Sequence, residues 1–408
     1  MLSSSSAIRL NDLTHPIVAG LISVIVNYGG TFILVFQAAK VADLSAELVA
    51  SWVWSVSIGV GLTGLFLSWR FREPIITAWS TPAAAFLVTA LATTPYAEAV
   101  GAYMISAAAF VGLGLSGYFE KVIRLIPPGI ASGLLAGILL PFGIGAFGGA
   151  SVDPLLVGLL IVAYVVLKRF SARYAVVGLL ALGMVFLLTQ DRVDLSGLKL
   201  EFAAPVFTMP AFSLNALLSV ALPLFLITLT GQYMPGMLVL RNDGFKTSAN
   251  PIVTVTGLGS LLMAPFGSHA FNIAAITAAI ATGRDAHEDP RKRWIAGIAA
   301  GSFYVLVGVF GVTLAAVFMA FPATFITTLA GLALLGTIGG SLAGAMADPT
   351  SREAALITFL ASAANITLLG IGGAFWGLVI GLGAYLVLNG RLTRRYRADL
   401  TVSEATAK

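Results

Sequence analysis

The chain contains no cysteine, so neither a disulfide nor a thiolate-bound metal can hold any part of it. Charge is scarce as well. Only 10% of its 408 residues are Asp, Glu, Lys or Arg, against roughly 25% in soluble domains. So few charges cannot coat a water-soluble body of this size. Histidine occurs three times, and no grouping of histidines and carboxylates has metal-ligand spacing. The glycine loop followed by Lys-Ser or Lys-Thr that would cradle ATP phosphates is missing, which argues against an ATP-driven pump. There is no stretch polar enough to make a conventional catalytic domain, and no cofactor is expected. The opening residues (MLSSSSAIRL) lack the compact core and cleavage site of a secretory signal. The first apolar run, Pro16 to about Ala39, is therefore expected to stay as a helix.

What the chain has in abundance is apolar length. Hydrophobic residues make up 58% of it, in runs of about 20 residues that each suffice to cross a hydrocarbon core. The pattern predicts fourteen crossings, near 16–39, 47–69, 74–92, 97–117, 127–148, 153–168, 173–190, 212–238, 247–264, 266–282, 292–318, 322–346, 352–369 and 371–389. The basic residues test this count. With both termini in the cytoplasm, only Lys40, Arg192 and Lys199 fall in outer loops, and the other 20 of 23 fall on the cytoplasmic side. That is the positive-inside pattern of a multi-pass plasma-membrane protein. The net charge of +5 is thereby spent on topology, and no nucleic-acid partner is expected.

The two halves resemble each other. Residues 128–147 (PGIASGLLAGILLPFGIGAF) match 322–341 (PATFITTLAGLALLGTIGGS) without a gap, with Pro128/Pro322, Gly137/Gly331 and Gly145/Gly339 among the identical pairs. Earlier in each half, LISVIVNY (21–28) matches LITLTGQY (226–233), which pairs Asn27 with Gln232 and Tyr28 with Tyr233. The expected organisation is residues 1–195 as one repeat of seven spans and 196–408 as the second. Seven is odd, so the second repeat starts on the opposite side of the membrane. Such inverted repeats suit alternating access. Gly129, Gly133 and Gly137 form a small-residue face, expected to serve close helix packing.

Two crossings read as broken. In PIITAWSTPAAAFLVTALAT (Pro74–Thr93), Pro82 suits a first helical turn, and Ser80 or Thr81 can cap it. A helix is expected to start there at mid-membrane after an extended segment, 74–81. Its counterpart, PFGSHAFNIAAITAAIATG (Pro265–Gly283), predicts a helix from about Asn272 to Thr282. Both helices would aim amide hydrogens and positive dipole ends at the midplane, a setting for an anion. His269 is expected to be the deep ionisable group, with two readings: a packed, hydrogen-bonded core histidine, or a substrate contact and proton carrier. Asn27 and Gln232, with Tyr28 and Tyr233 beside them, either line the site or bond neighbouring helices. Trp79 and Phe271 either stack on an aromatic ring or pack. Asn365 has no repeat partner and no assigned role.

The segment PIITAWSTPAAAFL (74–87), with NYGG (27–30) and PFGSHAFNIAAITAAI (265–280), resembles the benzoate/proton symporter (BenE-type) family over nearly the whole chain. In fold that family is similar to nucleobase symporters and sulfate permeases. The resemblance implies an all-α integral membrane protein of fourteen spans in a 7+7 inverted repeat. It further implies a core domain of spans 1–4 and 8–11, a gate domain of spans 5–7 and 12–14, and a substrate held between broken spans 3 and 10. The candidate substrate residues are Asn27, Tyr28, Trp79, Ser80, Thr81, Pro82, Gln232, Tyr233, His269, Ala270, Phe271 and Asn272, with His269 the candidate for proton coupling. A homodimer is implied by the fold resemblance alone. The wider group's nucleobase members carry carboxylates on spans 8 and 10. Here Gln232, His269 and Asn272 stand instead, which suits an anion better than a nucleobase. The expected activity is proton-coupled uptake of benzoate or a similar aromatic carboxylate. Transport of another small organic anion, sulfate or a nucleobase is the alternative; a channel or a membrane-embedded enzyme is a more distant one.

Overall fold

Fourteen apolar segments shuttle through the molecule, and two of them change from strand to helix midway. The computed structural model describes residues 10–389 apart from 126, 171–174, 194, 196–198, 275–276, 285, 365–367 and 369–372; Asn365 lies outside the described residues. Among the described residues, seven helices are long and apolar enough to cross a membrane on their own: Leu13–Val41, Ala46–Phe71, Tyr96–Ser116, Pro128–Ser151, Leu214–Arg241, Ala249–Phe266 and Ala323–Met346. They supply spans 1, 2, 4, 5, 8, 9 and 12. Spans 6, 7, 13 and 14 are shorter helices, Pro154–Phe170, Ala175–Thr189, Arg352–Ala363 and Gly373–Asn389. Span 11 is Trp294–Val309 continued by Gly311–Met319.

Local chemistry sets the helix starts. Ser45 caps span 2 by accepting from the Leu48 amide, and Ser248 caps span 9 through the Asn250 amide. The repeat-matched prolines stand at equivalent starts, Pro128 as the first residue of span 5 and Pro322 just before span 12. Span 8 contains two π-helical turns, Leu217–Ala221 and Leu229–Tyr233. Each is followed by a proline, Pro223 and Pro235. A proline ring clashes with the carbonyl four residues back, here Ser219 and Gly231, and a widened turn at those residues relieves the clash.

The glycine face of span 5 does close packing. A methyl group added at Gly133 would stand 2.4 Å from the Ala355 carbonyl oxygen, and one at Gly137 would stand 2.5 Å from that of Phe359, both on span 13. Span 2 packs on span 11, span 4 on span 9 and span 1 on span 11. Separately, span 5 packs on spans 12 and 13, and span 13 on span 14.

The broken spans meet at the centre. Strand β1 (Thr77–Trp79, span 3) pairs antiparallel with β2 (Phe271–Ile273, span 10), in the register Thr77↔Ile273, Ala78↔Asn272 and Trp79↔Phe271. The ladder is extended at both ends, where Ser80 N donates to Ala270 O and Ala274 N to Ile76 O. Non-helical backbone at this depth must find its hydrogen bonds inside the protein, and the two strands supply them to each other. Span 3 then continues as the helix Thr81–Ala90 and span 10 as Ala278–Thr282. The second helix thus starts at Ala278, six residues later than the expected Asn272, because β2 holds Asn272 in extended form.

Between the repeats, residues 199–212 cross one end of the bundle as an extended belt. Its amides donate to Val309 O, Pro265 O and Ala97 O, and the Val206 amide donates to the Ser51 hydroxyl.

Candidate functional site

A cavity of about 630 Å³ lies between the two sets of packed spans. One wall comes from spans 1, 3, 8 and 10, including Asn27, Thr31, Thr81, Pro82, Gln232 and Thr277. The other comes from spans 5, 6, 7 and 12, including Ser132, Leu135, Tyr164, Lys168 and Thr337. The first turn of the span 3 helix forms part of the floor. Ser80 caps that turn, with its hydroxyl accepting from Ala83 N (3.4 Å) and from the Thr228 hydroxyl (3.0 Å). First-turn amides have no partner within their own helix, and Thr81 and Pro82 bring this end to the cavity. The π turn in span 8 has a similar consequence. It sets three consecutive residues, Thr230, Gly231 and Gln232, along the same cavity.

Five of the twelve candidate residues from the sequence border this cavity: Asn27, Trp79, Thr81, Pro82 and Gln232. Asn27 donates through Nδ2 to the Tyr304 hydroxyl (2.7 Å). Trp79 donates through Nε1 to the Thr31 hydroxyl (3.2 Å), which itself donates to the Asn27 carbonyl. Trp79 meets Tyr28, Phe32 and Tyr304 edge-on, and the four rings form one cluster at the cavity wall.

The other candidates stand behind the lining and hold it in place. Tyr28 bonds the Ser57 hydroxyl (2.5 Å) on span 2. Tyr233 bonds the Thr256 hydroxyl (2.6 Å) and donates to the Phe271 carbonyl (3.1 Å), tying span 8 to β2. Phe271 is seated against Gly59 and Gly259, where a methyl group at Gly59 would stand 2.1 Å from its ring. Ala270 supplies its carbonyl to the ladder. Asn272 is fully buried; with its amide oriented to satisfy both neighbours, its oxygen accepts from Ser80 N at 3.0 Å.

His269 is buried at the crossing of the two broken spans. Its Nδ1 faces the indole Nε1–H of Trp52 at 3.3 Å, and its Nε2 faces the Ser80 carbonyl at 3.4 Å. An indole nitrogen only donates and a carbonyl only accepts. The arrangement therefore defines the neutral tautomer, with the proton on Nε2. A second proton, on Nδ1, would displace Trp52.

Several lining residues are not among the sequence candidates. Thr31 lies one turn beyond Asn27, and Thr230 lies within the matched segment 226–233, so both were open to detection. Ser132, Tyr164, Thr337 and Ser341 belong to apolar, small-residue helices and are placed only by the approach of the opposite wall. Among the described lining residues there is no carboxylate and one formal charge, Lys168.

A broken-helix, inverted-repeat membrane transporter is the class that this fold and cavity define. The transmembrane domain of a cyanobacterial bicarbonate transporter, BicA, superposes with a TM-score of 0.60 at 14% identity, covering 93% of this chain and 98% of that one. SLC26A9 superposes with a TM-score of 0.63 at 13% identity, over 93% of this chain and 66% of its own. At such identities the likeness speaks to fold. Sequence narrows the assignment. The family model for benzoate membrane transport proteins (BenE) matches residues 12–387, and the chain belongs to this family. It is 43% identical over 371 residues to the benzoate membrane transport protein of Acinetobacter baylyi, covering 91% of this chain and 94% of the relative. It is 39% identical over 382 residues to the inner membrane protein YdcO of Escherichia coli K12, covering 93% and 98%.

Proposed function

We propose that this transporter takes up benzoate or a similar aromatic carboxylate together with a proton, by alternating access. The observation that carries the reading is the cavity. Its volume suits a small molecule, its floor is the start of the span 3 helix, and its described lining includes no carboxylate to repel an anion. Asn27, Thr81 and Gln232 are the polar groups we assign to the carboxylate, and Trp79, Pro82 and Leu135 to the ring. A relative of high identity named for benzoate transport adds support.

The packing supports a division into two moving bodies. Spans 1–4 and 8–11 act as the core, spans 5–7 and 12–14 as the gate, and the cavity is the seam between them. Its lining comes from the ends of spans 6 and 8, the starts of spans 5 and 7 and the second half of span 12. These ends adjoin the basic loops; with the termini in the cytoplasm, as the positive-inside pattern supports, the cavity would open inward. The belt 199–212 then lies on the closed outer face.

An anion entering a cell works against an inside-negative potential, at about 2.3 kcal/mol per 100 mV. One accompanying proton cancels that cost and adds the pH gradient. His269 is the residue we assign to the proton, because protonation at Nδ1 and the bond from Trp52 exclude each other. Binding a proton would thus release a contact between span 2 and span 10.

Proteoliposomes loaded with the purified chain and given labelled benzoate under an imposed pH gradient test the reading. Accumulation that collapses with a protonophore is expected, with competition by substituted benzoates ahead of sulfate and uracil. Uptake indifferent to both gradient and protonophore removes proton coupling. Flux without saturation or counterflow would make the protein a channel.

A further inference from the structure

We infer that Lys168, together with Tyr164, forms a docking point for the carboxylate at the mouth of the cavity. The inference rests on the reading of the cargo as a carboxylate. In sequence, Lys168 looks like one of many basic residues that mark the membrane boundary. Such lysines ordinarily extend toward water and headgroups. This one folds back. Tyr164 and Lys168 are four residues apart on span 6, hence on one helix face, and both line the cavity. The ammonium donates to the Tyr164 hydroxyl at 2.8 Å and lies 5.1 Å from the centre of its ring. Within the same wall, a methyl group at Gly336 of span 12 would stand 3.8 Å from Nζ, so the glycine leaves room beside span 12 for an ammonium that lines the cavity.

The direction of the bond decides the chemistry. An ammonium can only donate, so the Tyr164 oxygen accepts and its own O–H remains to be given. The ammonium keeps two further N–H groups. The pair therefore offers donors and a positive charge to an arriving anion. Among the described lining residues no acid neutralises it, and a single charge in a cleft with low-dielectric walls concentrates counter-ions at the mouth. The polar groups deeper in, Asn27, Thr81 and Gln232, are uncharged. A charged mouth over a neutral floor gathers the anion without trapping it at depth.

The test uses the full chain in nanodiscs, with benzoate as the probe and calorimetric binding at low and high salt. Lys168→Gln is expected to weaken binding about threefold to fivefold at low salt, the scale of a partly exposed charge pair, and the difference should shrink at high salt. Lys168→Arg should stay near wild type, and Tyr164→Phe should show a smaller loss than Lys168→Gln. Equal affinities for wild type and Lys168→Gln at low salt overturn the inference. So does a loss that Lys168→Arg shares and salt leaves untouched, because that marks a structural role. Wild-type protein that binds no carboxylate at all overturns this inference and the preceding reading together; wild-type binding matched by Lys168→Gln overturns this one alone.

Discussion

The two broken spans occupy equivalent places in the repeats, yet only the first has a side-chain cap at its start and only the second is clamped by a buried arginine at its far end. The helix of span 3 runs ten residues and is fixed at its mid-membrane start, by the Ser80 cap, Pro82 and the Thr228 hydroxyl. The helix of span 10, Ala278–Thr282, has no side-chain cap at Thr277. It is fixed at its far end by Arg293, which is 5% exposed and donates to the carbonyls of Thr282 (2.7 Å), His287 (2.7 Å) and Glu288 (3.4 Å). A cation at a helix C-terminus satisfies leftover carbonyls and the dipole at once. The repeat-matched hydroxyls of Thr228 and Ser23 both reach a half-helix start, donating to the Ser80 hydroxyl and to the Thr277 carbonyl (3.2 Å). The halves differ in what is added: a side-chain cap on the first, and the Arg293 clamp at the far end of the second.

This contrast can be broken by substitution. Arg293→Met should cost the most, about 3 kcal/mol, since it strips charged hydrogen bonds from three carbonyls. Thermal unfolding in detergent should show the largest drop in midpoint, and Arg293→Lys should recover part of it. Gly59→Ala attacks the tie of β2, because its methyl group would collide with Phe271; overpacking of this kind costs about 1 to 3 kcal/mol, read in the same melt. Ser80→Ala removes the span 3 cap at about 1 kcal/mol and should also raise the benzoate KM in proteoliposomes. Thr277→Ala, at the matching start of span 10, removes no side-chain cap and should lower the midpoint less than Ser80→Ala does. If Thr277→Ala matched Ser80→Ala in the melt, the two half-helices would be anchored alike and the comparison would fail.

The ease of reading these regions from sequence differs for the same reason. The start of span 3 is spelled out locally, in a Ser-Thr-Pro run whose geometry admits few alternatives. The fourteen crossings and the seven-plus-seven order are also local, being sums of apolar length and loop charge. The start of span 10 was misplaced by six residues because strand pairing decides it, and the partner strand lies far away in the chain. Asn27 and Gln232 emerged from the repeat match, and both border the cavity. Ser80, Asn272 and His269 stood out as polar residues at depth, but the fold spends them on capping and cross-links behind the lining. The wall from spans 5, 6, 7 and 12 was illegible: its glycines, alanines and single lysine acquire meaning only when a second helix set comes to face them.

The belt of residues 199–212 bears on how motion in this molecule could be watched. Its backbone bonds run to Ala97, Pro265 and Val309, and Val206 to Ser51, all on one side of the cavity seam. The described belt is thus bonded to spans 2, 4, 9 and 11, which all belong to the proposed core. Met209 within it is 75% exposed, and the chain offers no native thiol to compete for a label. A spin label there should keep a constant distance to one on span 9 and report a changing distance to one on span 12, a molecular ruler with its zero mark already fixed.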